Sequence, residues 1–230
     1  MGKGFRPTGL NLLQIGNLAL VPQEGLRYIR DMNKPMILTD VDDVCLNYIE
    51  GFRIFAERVL GRKILGLPDQ WDMSNWLGLN SEQEATDLVH QFNHGEPEFG
   101  MLPPLAEAEK YIPQLSKHCN IVAITCCSTD PTPVALRNKN LERVFGKGVF
   151  SEVICQPLGT RKVHNLSIFK DCNVIAWVED KAEAAVDGAS MGYRSFLMEQ
   201  SHNKKYRDEN TNSPLVFVKS WKDIANVICF

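Results

Sequence analysis

The feature that most constrains this chain is a recurrence. Short apolar runs without alternation each stop at a polar or acidic residue, and helical patterns fall between them. Met36-Ile37-Leu38-Thr39 stops at Asp40, Ile121-Val122-Ala123-Ile124 at Thr125, and Val174-Ile175-Ala176-Trp177-Val178 at Glu179-Asp180. Runs of this kind suit strands buried on both faces of a parallel sheet. Residues 149–155, 195–198 and 215–218 are further strand candidates. Residues 105–118 carry Leu105, Ala108, Ile112 and Leu115 on one helical face, and 134–145, 163–169, 182–191 and 221–228 also fit helices. This alternation predicts an α/β fold with a doubly wound, mainly parallel sheet.

One stretch breaks the pattern. Residues 48–100 read as helical, hold Phe52, Phe55, Trp71, Trp76, Phe92 and Phe99, and offer no strand pattern. They are expected to form a small helical cap inserted after the first strand. The α/β core then comprises 35–47 and 101–230. Residues 1–34 form a leader with no assigned fold beyond a short helix expected at 24–31.

Composition narrows the function. Among 230 residues, 44% are apolar, enough to fill a core without disulfides or a structural metal. With 25 basic and 28 acidic residues the net charge is −3, which makes no bulk electrostatic case for gripping nucleic acid or an anionic membrane. No apolar run approaches the roughly 20 residues that span a bilayer. The basic N-terminus could begin a signal peptide, but Asn11, Gln14, Gly16 and Asn17 break its apolar part. A cytoplasmic protein is expected, and a homodimer is left open. The seven cysteines are odd in number and lack a C-x-x-C, so reduced core thiols are expected. Cys126-Cys127 does not open a cysteine-phosphatase loop, because Thr132 and Pro133 stand where its arginine belongs.

Ligands of open parallel sheets bind beyond the carboxyl ends of the strands. Asp40, Thr125 and Asp180 should therefore converge. Strand alternation sends Asp40 and Asp42 to one side, and two such carboxylates need a proton or a cation such as Mg²⁺ to coexist. A carboxylate can attack phosphorus while a second acid protonates the leaving oxygen. Taken singly, the Asp-x-Asp turn also reads as a helix cap and Thr125 as a turn residue. Lys162, opening a helix, can neutralise a phosphoryl charge. Glu179-Asp180 after an apolar run calls for a compensating charge.

The order Asp-x-Asp, Thr, Lys, Glu-Asp along alternating β/α units resembles the haloacid dehalogenase-like (HAD) phosphohydrolase superfamily, over roughly residues 35–228. The resemblance implies a Rossmann-like core and Mg²⁺ as cofactor. Asp40 would be nucleophile and metal ligand, and Asp42 the general acid/base giving its backbone carbonyl to the metal. Thr125 and Lys162 would bind phosphate, with Lys162 preferred to Lys170. Asp180 would hold the metal, and Glu179 would act on it directly or through water. Asp42 argues against dehalogenation, and Asp43 departs from the glycine many relatives carry. Within the superfamily the layout resembles the 5′(3′)-deoxyribonucleotidases, through the short cap, Tyr48, the Trp221-x-x-Ile224 helix and the His202-Asn203 pair. That implies a (deoxy)nucleoside monophosphate substrate, with Tyr48, Trp71 and Trp76 as stacking surfaces or as the cap's own core. A phosphatase of another small ester or of nucleic-acid ends, and a catalytically idle HAD-like binding protein, remain the alternatives.

Overall fold

The computed structural model describes residues 34–228; the expected helix at 24–31 and Cys229 lie outside the described residues. Among the described residues six strands form: β1 (Met36–Thr39), β2 (Asn120–Cys126), β3 (Glu152–Gln156), β4 (Val174–Glu179), β5 (Ser195–Met198) and β6 (Val216–Val218). They make one parallel sheet in the order β3-β2-β1-β4-β5-β6. Winding runs outward from β1 through β2 to β3, then restarts on its other side with β4. The crevice between β1 and β4 is thus the switch point at which such sheets bind ligands.

Side chains alternate across the sheet as the pleat requires. Ile37, Ile121, Ala123, Ala176 and Val178 enter one buried cluster, and Met36, Leu38, Val122, Ile124 and Trp177 the other. Burial on both faces is why the runs lack alternation. The first cluster is closed by α4 (Ala108–Leu115), α5 (Pro131–Phe145) and α9 (Trp221–Val227); α6 (Val163–Ser167) helps close the second, and α7 (Ala182–Ser190) packs on β4 and β5. Trp221 is fully buried, and its indole N–H donates to the Val44 carbonyl at 2.8 Å. The closing helix thereby anchors the loop that carries the Asp-x-Asp motif.

Between β1 and β2 the chain forms α1 (Tyr48–Leu60), α2 (Ser74–Leu77), α3 (Glu82–Asn93) and a 3₁₀ turn at Pro97–Met101, with no strand among these residues. Local signals set the ends. Asn47 accepts from the Glu50 N–H, Gly61 closes α1 in the left-handed conformation, and Ser81 accepts from the Glu84 N–H. Phe52, Phe55, Phe92 and Phe99 are fully buried, with neighbouring ring centroids 5.2 to 6.0 Å apart, so the insert has an aromatic centre of its own. Two helices start at other residues than the pattern places them, and all but α5 end short of it. The chain enters α4 only at Ala108, and α5 starts at Pro131, a residue preorganised for a first turn. One short helix lies outside the sequence pattern, α8 (Lys204–Glu209), which buries no side chain and so leaves no apolar period to read.

Candidate active site

Register brings the strand ends together. Thr39 pairs with Val178 across β1 and β4, and the Asp40 N–H donates to the Val178 carbonyl at 2.8 Å. Asp40 thus lies beside Glu179 and Asp180. Carboxylate oxygens of these three buried residues lie within 4.8 Å of one another. Lys162 answers part of that charge: its Nζ lies 2.8 Å from Asp40 Oδ2 and 2.7 Å from Glu179 Oε2. It is delivered by the loop after β3, where Gln156 donates to Thr160 (Oγ1 at 2.7 Å) and accepts from Asn165 at 2.7 Å. Lys170, the rival lysine, is exposed.

The remaining imbalance shows in the chemistry. Burial, reinforced by Glu179, pushes the Asp40 carboxyl up to about 7. Burial, with Asp180 beside it, pushes Asp43 up to about 8. Burial opposes the charge on Lys162, yet Asp40 and Glu179 hold its ammonium above the usual lysine range. Asp40 Oδ1 and Asp180 Oδ1 are buried with no hydrogen-bond partner. Two orphaned carboxylate oxygens in one acidic cluster fit a hard divalent cation, which takes oxygen donors. Glu179 fits that role less well than expected. Its Oε2 is held by Lys162 and its Oε1 accepts from the Asp180 and Lys181 N–H groups, both at 3.2 Å.

The Asp42 side chain stands apart from the cluster. Arg137 Nη2 lies 2.8 Å from its Oδ2 and 2.6 Å from its Oδ1, and the arginine is wholly buried with its guanidinium 4.3 Å from the Phe99 ring centroid. Burial raises the Asp42 carboxyl to about 6 against the pull of Arg137. Sequence reasoning misses Arg137, since an arginine in a helical stretch looks like a solvated group. Asp43 adopts a left-handed backbone (φ 52°), and its Oδ1 accepts from the Ile49 N–H at 3.1 Å. Glycine takes that conformation freely, whereas aspartate tolerates it with a local hydrogen bond of this sort.

A cavity of about 780 Å³ opens over these groups, lined by Asp40, Asp42, Asp43, Lys162, Glu179 and Asp180 on the sheet side. Tyr48, Ile49, Trp71, Met73, Ala85 and Val89 line it from the insert. Two sequence-based candidates are not brought to its wall. Trp76 packs against the insert's core and donates to the Gly66 carbonyl at 3.3 Å, so it is a packing residue. Thr125 is fully buried and the wall there is Cys126; the Thr125 hydroxyl has no partner. All six cysteines among the described residues are free thiols.

A family model described as "5′ nucleotidase, deoxy (Pyrimidine), cytosolic type C protein" matches residues 34–145. An uncharacterized 32.4 kDa protein of Enterobacteria phage T4 is 27% identical over 198 residues, 84% of this chain and 69% of that one. A predicted phosphatase from Clostridium acetobutylicum shares the fold with a TM-score of 0.59 at 13% identity, over 85% of this chain and 98% of its own. A HAD-hydrolase from Bacillus subtilis bound to magnesium aligns at 0.56 and 12% identity, over 86% of this chain and all of its own. A haloacid dehalogenase-like hydrolase from Streptococcus pneumoniae aligns at 0.57 and 10% identity, over 85% of this chain and 99% of its own. Among the described residues no helix is long and apolar enough to cross a membrane.

Proposed function

We propose that this chain, which has the HAD-like fold and resembles the deoxy-type 5′-nucleotidases, is a Mg²⁺-dependent phosphomonoesterase acting on (deoxy)nucleoside monophosphates in the cytoplasm. The observation that carries the reading is the gathering of Asp40, Lys162, Glu179 and Asp180 at one crevice, with Asp40 Oδ1 and Asp180 Oδ1 buried and unpartnered.

Asp40 is the nucleophile. One of its carboxylate oxygens bonds to phosphorus as the bond from phosphorus to the ester oxygen breaks, and Asp42 gives its proton to that leaving oxygen. Asp42 then takes a proton from water, which attacks the aspartyl-phosphate, releases inorganic phosphate and restores the Asp40 carboxylate. A carboxyl near 6 suits both halves of this exchange at neutral pH. Lys162 keeps Asp40 aligned and screens the phosphoryl charge. Asp40 and Asp180 would hold Mg²⁺, with the Asp42 backbone carbonyl a further oxygen and Glu179 steering Lys162; the ion supplies charge neutralisation at the phosphoryl oxygens.

The nucleotide part rests on the insert-side wall. The cavity falls within the range of about 300–1,000 Å³ typical of small-molecule sites. Trp71 remains 55% exposed in its wall, and a base stacked on an aromatic ring gains about 1–3 kcal/mol. In the cavity lining Asp72, Glu82, Glu183 and Asp187 outnumber Arg161 and Lys181, which disfavours a polyanionic nucleic-acid end. The test is phosphate release from a panel of nucleoside monophosphates and sugar phosphates in Mg²⁺. Nucleoside monophosphates should lead the panel. Asp40→Asn should lower turnover by more than about 10⁴-fold, as loss of a nucleophile does. Undiminished release by a folded Asp40→Asn protein would refute the mechanism, and preference for sugar phosphates would refute the substrate.

A further inference from the structure

Four consecutive residues after β5 each hold a different part of the site. Gln200 Nε2 donates to the Asp43 carbonyl at 2.7 Å, and Ser201 Oγ donates to the Pro68 carbonyl of the insert at 2.6 Å. His202 Nε2 lies 2.8 Å from Asp180 Oδ2, an ion-pair contact without the alignment of a hydrogen bond. Asn203 Nδ2 donates to the Asp180 and Met198 carbonyls, both at 2.8 Å, and its Oδ1 accepts from the Gln200 N–H at 3.1 Å. The segment is therefore closed on itself, while it grips both acidic loops and the insert.

His202 is the centre of this clamp. Its side chain is 6% exposed, with one edge on Asp180 and its ring edge-to-face with Trp71 at 5.4 Å. The Trp71 ring carries Lys181 Nζ 4.5 Å from its centroid. A carboxylate held by one oxygen cannot swing freely, so its other oxygen keeps a fixed aim. Here the other oxygen is Asp180 Oδ1, which with Asp40 Oδ1 is one of the unpartnered buried oxygens of the acidic cluster.

We propose that His202 is a positioning residue: it pins Asp180 Oδ2 so that Oδ1 is aimed at the cation, and with Ser201 it links the seating of the insert segment 64–73 to that carboxylate. This rests on the Mg²⁺ site proposed above. A side chain that only filled the space beneath Trp71 would leave metal affinity unchanged.

The test is calorimetric titration of Mg²⁺ alone, without substrate, into the full chain. Outer-shell partners of metal ligands are typically worth 10–100-fold in affinity, so His202→Ala should weaken binding by at least about 10-fold. His202→Gln keeps an N–H donor at similar reach and should restore most of it. A second measurement does not depend on the alanine variant folding. In hydrogen exchange, Mg²⁺ should protect residues 64–73 of the wild type, and Ser201→Ala should lose that protection. Equal Mg²⁺ affinity in wild type and folded His202→Ala, or protection that persists in Ser201→Ala, overturns the proposal while the phosphatase reading stands. A wild-type chain that takes up no Mg²⁺ overturns both.

Discussion

On the sheet side of the cavity, Asp40, Lys162, Glu179 and Asp180 are buried and tied to one another, whereas on the insert side Trp71 is more than half exposed, with Lys181 and His202 against its ring. The ion pairs of the insert are equally inward-looking. Arg53 pairs with Glu50 and Glu57, and Arg58 with Glu96 and Glu98. Among the described residues, one ion pair crosses from the insert to the core, His94 with Asp130 at 3.0 Å. The difference separates two tasks. Groups that move charge are fixed by a network in which each partner needs the others, while the wall that meets the rest of the substrate can vary without disturbing them. Substitutions on the sheet side should therefore cost turnover and stability together, and those on the insert-side wall should, apart from the link through Ser201 and His202, alter mainly substrate binding.

The sharpest way to break this contrast is Lys162→Met. It removes the ammonium between Asp40 and Glu179 and leaves buried carboxylates uncompensated, a change that costs about 3–5 kcal/mol when a buried ion pair loses one partner. It also removes a donor aimed at developing phosphoryl charge, worth roughly 10²–10³ in turnover by analogy with oxyanion-hole donors. Both losses should appear, in thermal unfolding and in kcat. A variant as stable and as active as the parent would mean that the sheet side is not the interdependent network described.

Metal removal probes the same network through pH. Asp42, Asp40 and Asp43 are held near 6, 7 and 8, above the ordinary 3.8 of aspartate. A carboxyl whose folded value is raised contributes stability below its unfolded value and loses it as pH rises through the folded one, because there the folded state binds more protons. The chelator-treated protein should therefore lose stability from about pH 4, where the unfolded carboxyls ionise, to about pH 8. Mg²⁺ favours the ionised cluster, so the gain in Tm on adding it should widen over that window. A gain that shrinks toward about pH 8 would show that the acids are not the cation's ligands.

What was legible in the sequence follows the same division. Strands buried on both faces must be continuously apolar, so β1, β2 and β4 stand out, and the acids that follow β1 and end β4 can be placed from the residue pattern alone. Asp40, Lys162 and Asp180 could be named because a parallel sheet leaves their positions few places to go. Arg137 could not, because its partner Asp42 is 95 positions away and nothing local marks the arginine as buried. The insert obeys no such geometry. Trp71 and Trp76 are five residues apart and alike in type, yet one lines the cavity and the other packs inward, a choice made by how short helices settle on an aromatic centre.

That pair supplies the mildest and most discriminating test of the contrast. Trp71→Ala removes a half-exposed ring from the cavity wall, and the stacking energy of about 1–3 kcal/mol corresponds to a rise in KM of roughly 5- to 150-fold for a nucleotide. Because the ring touches none of the sheet-side carboxylates except through His202, kcat at saturating Mg²⁺ should fall much less than KM rises. Trp76→Ala takes away packing instead and should lower Tm, with KM nearly unchanged. The informative reading is the pattern across the two variants. A KM effect at Trp71 without a Tm effect, and the converse at Trp76, is what a selecting wall and its scaffold would produce, and matched changes in both would erase the distinction between the two sides of the cavity.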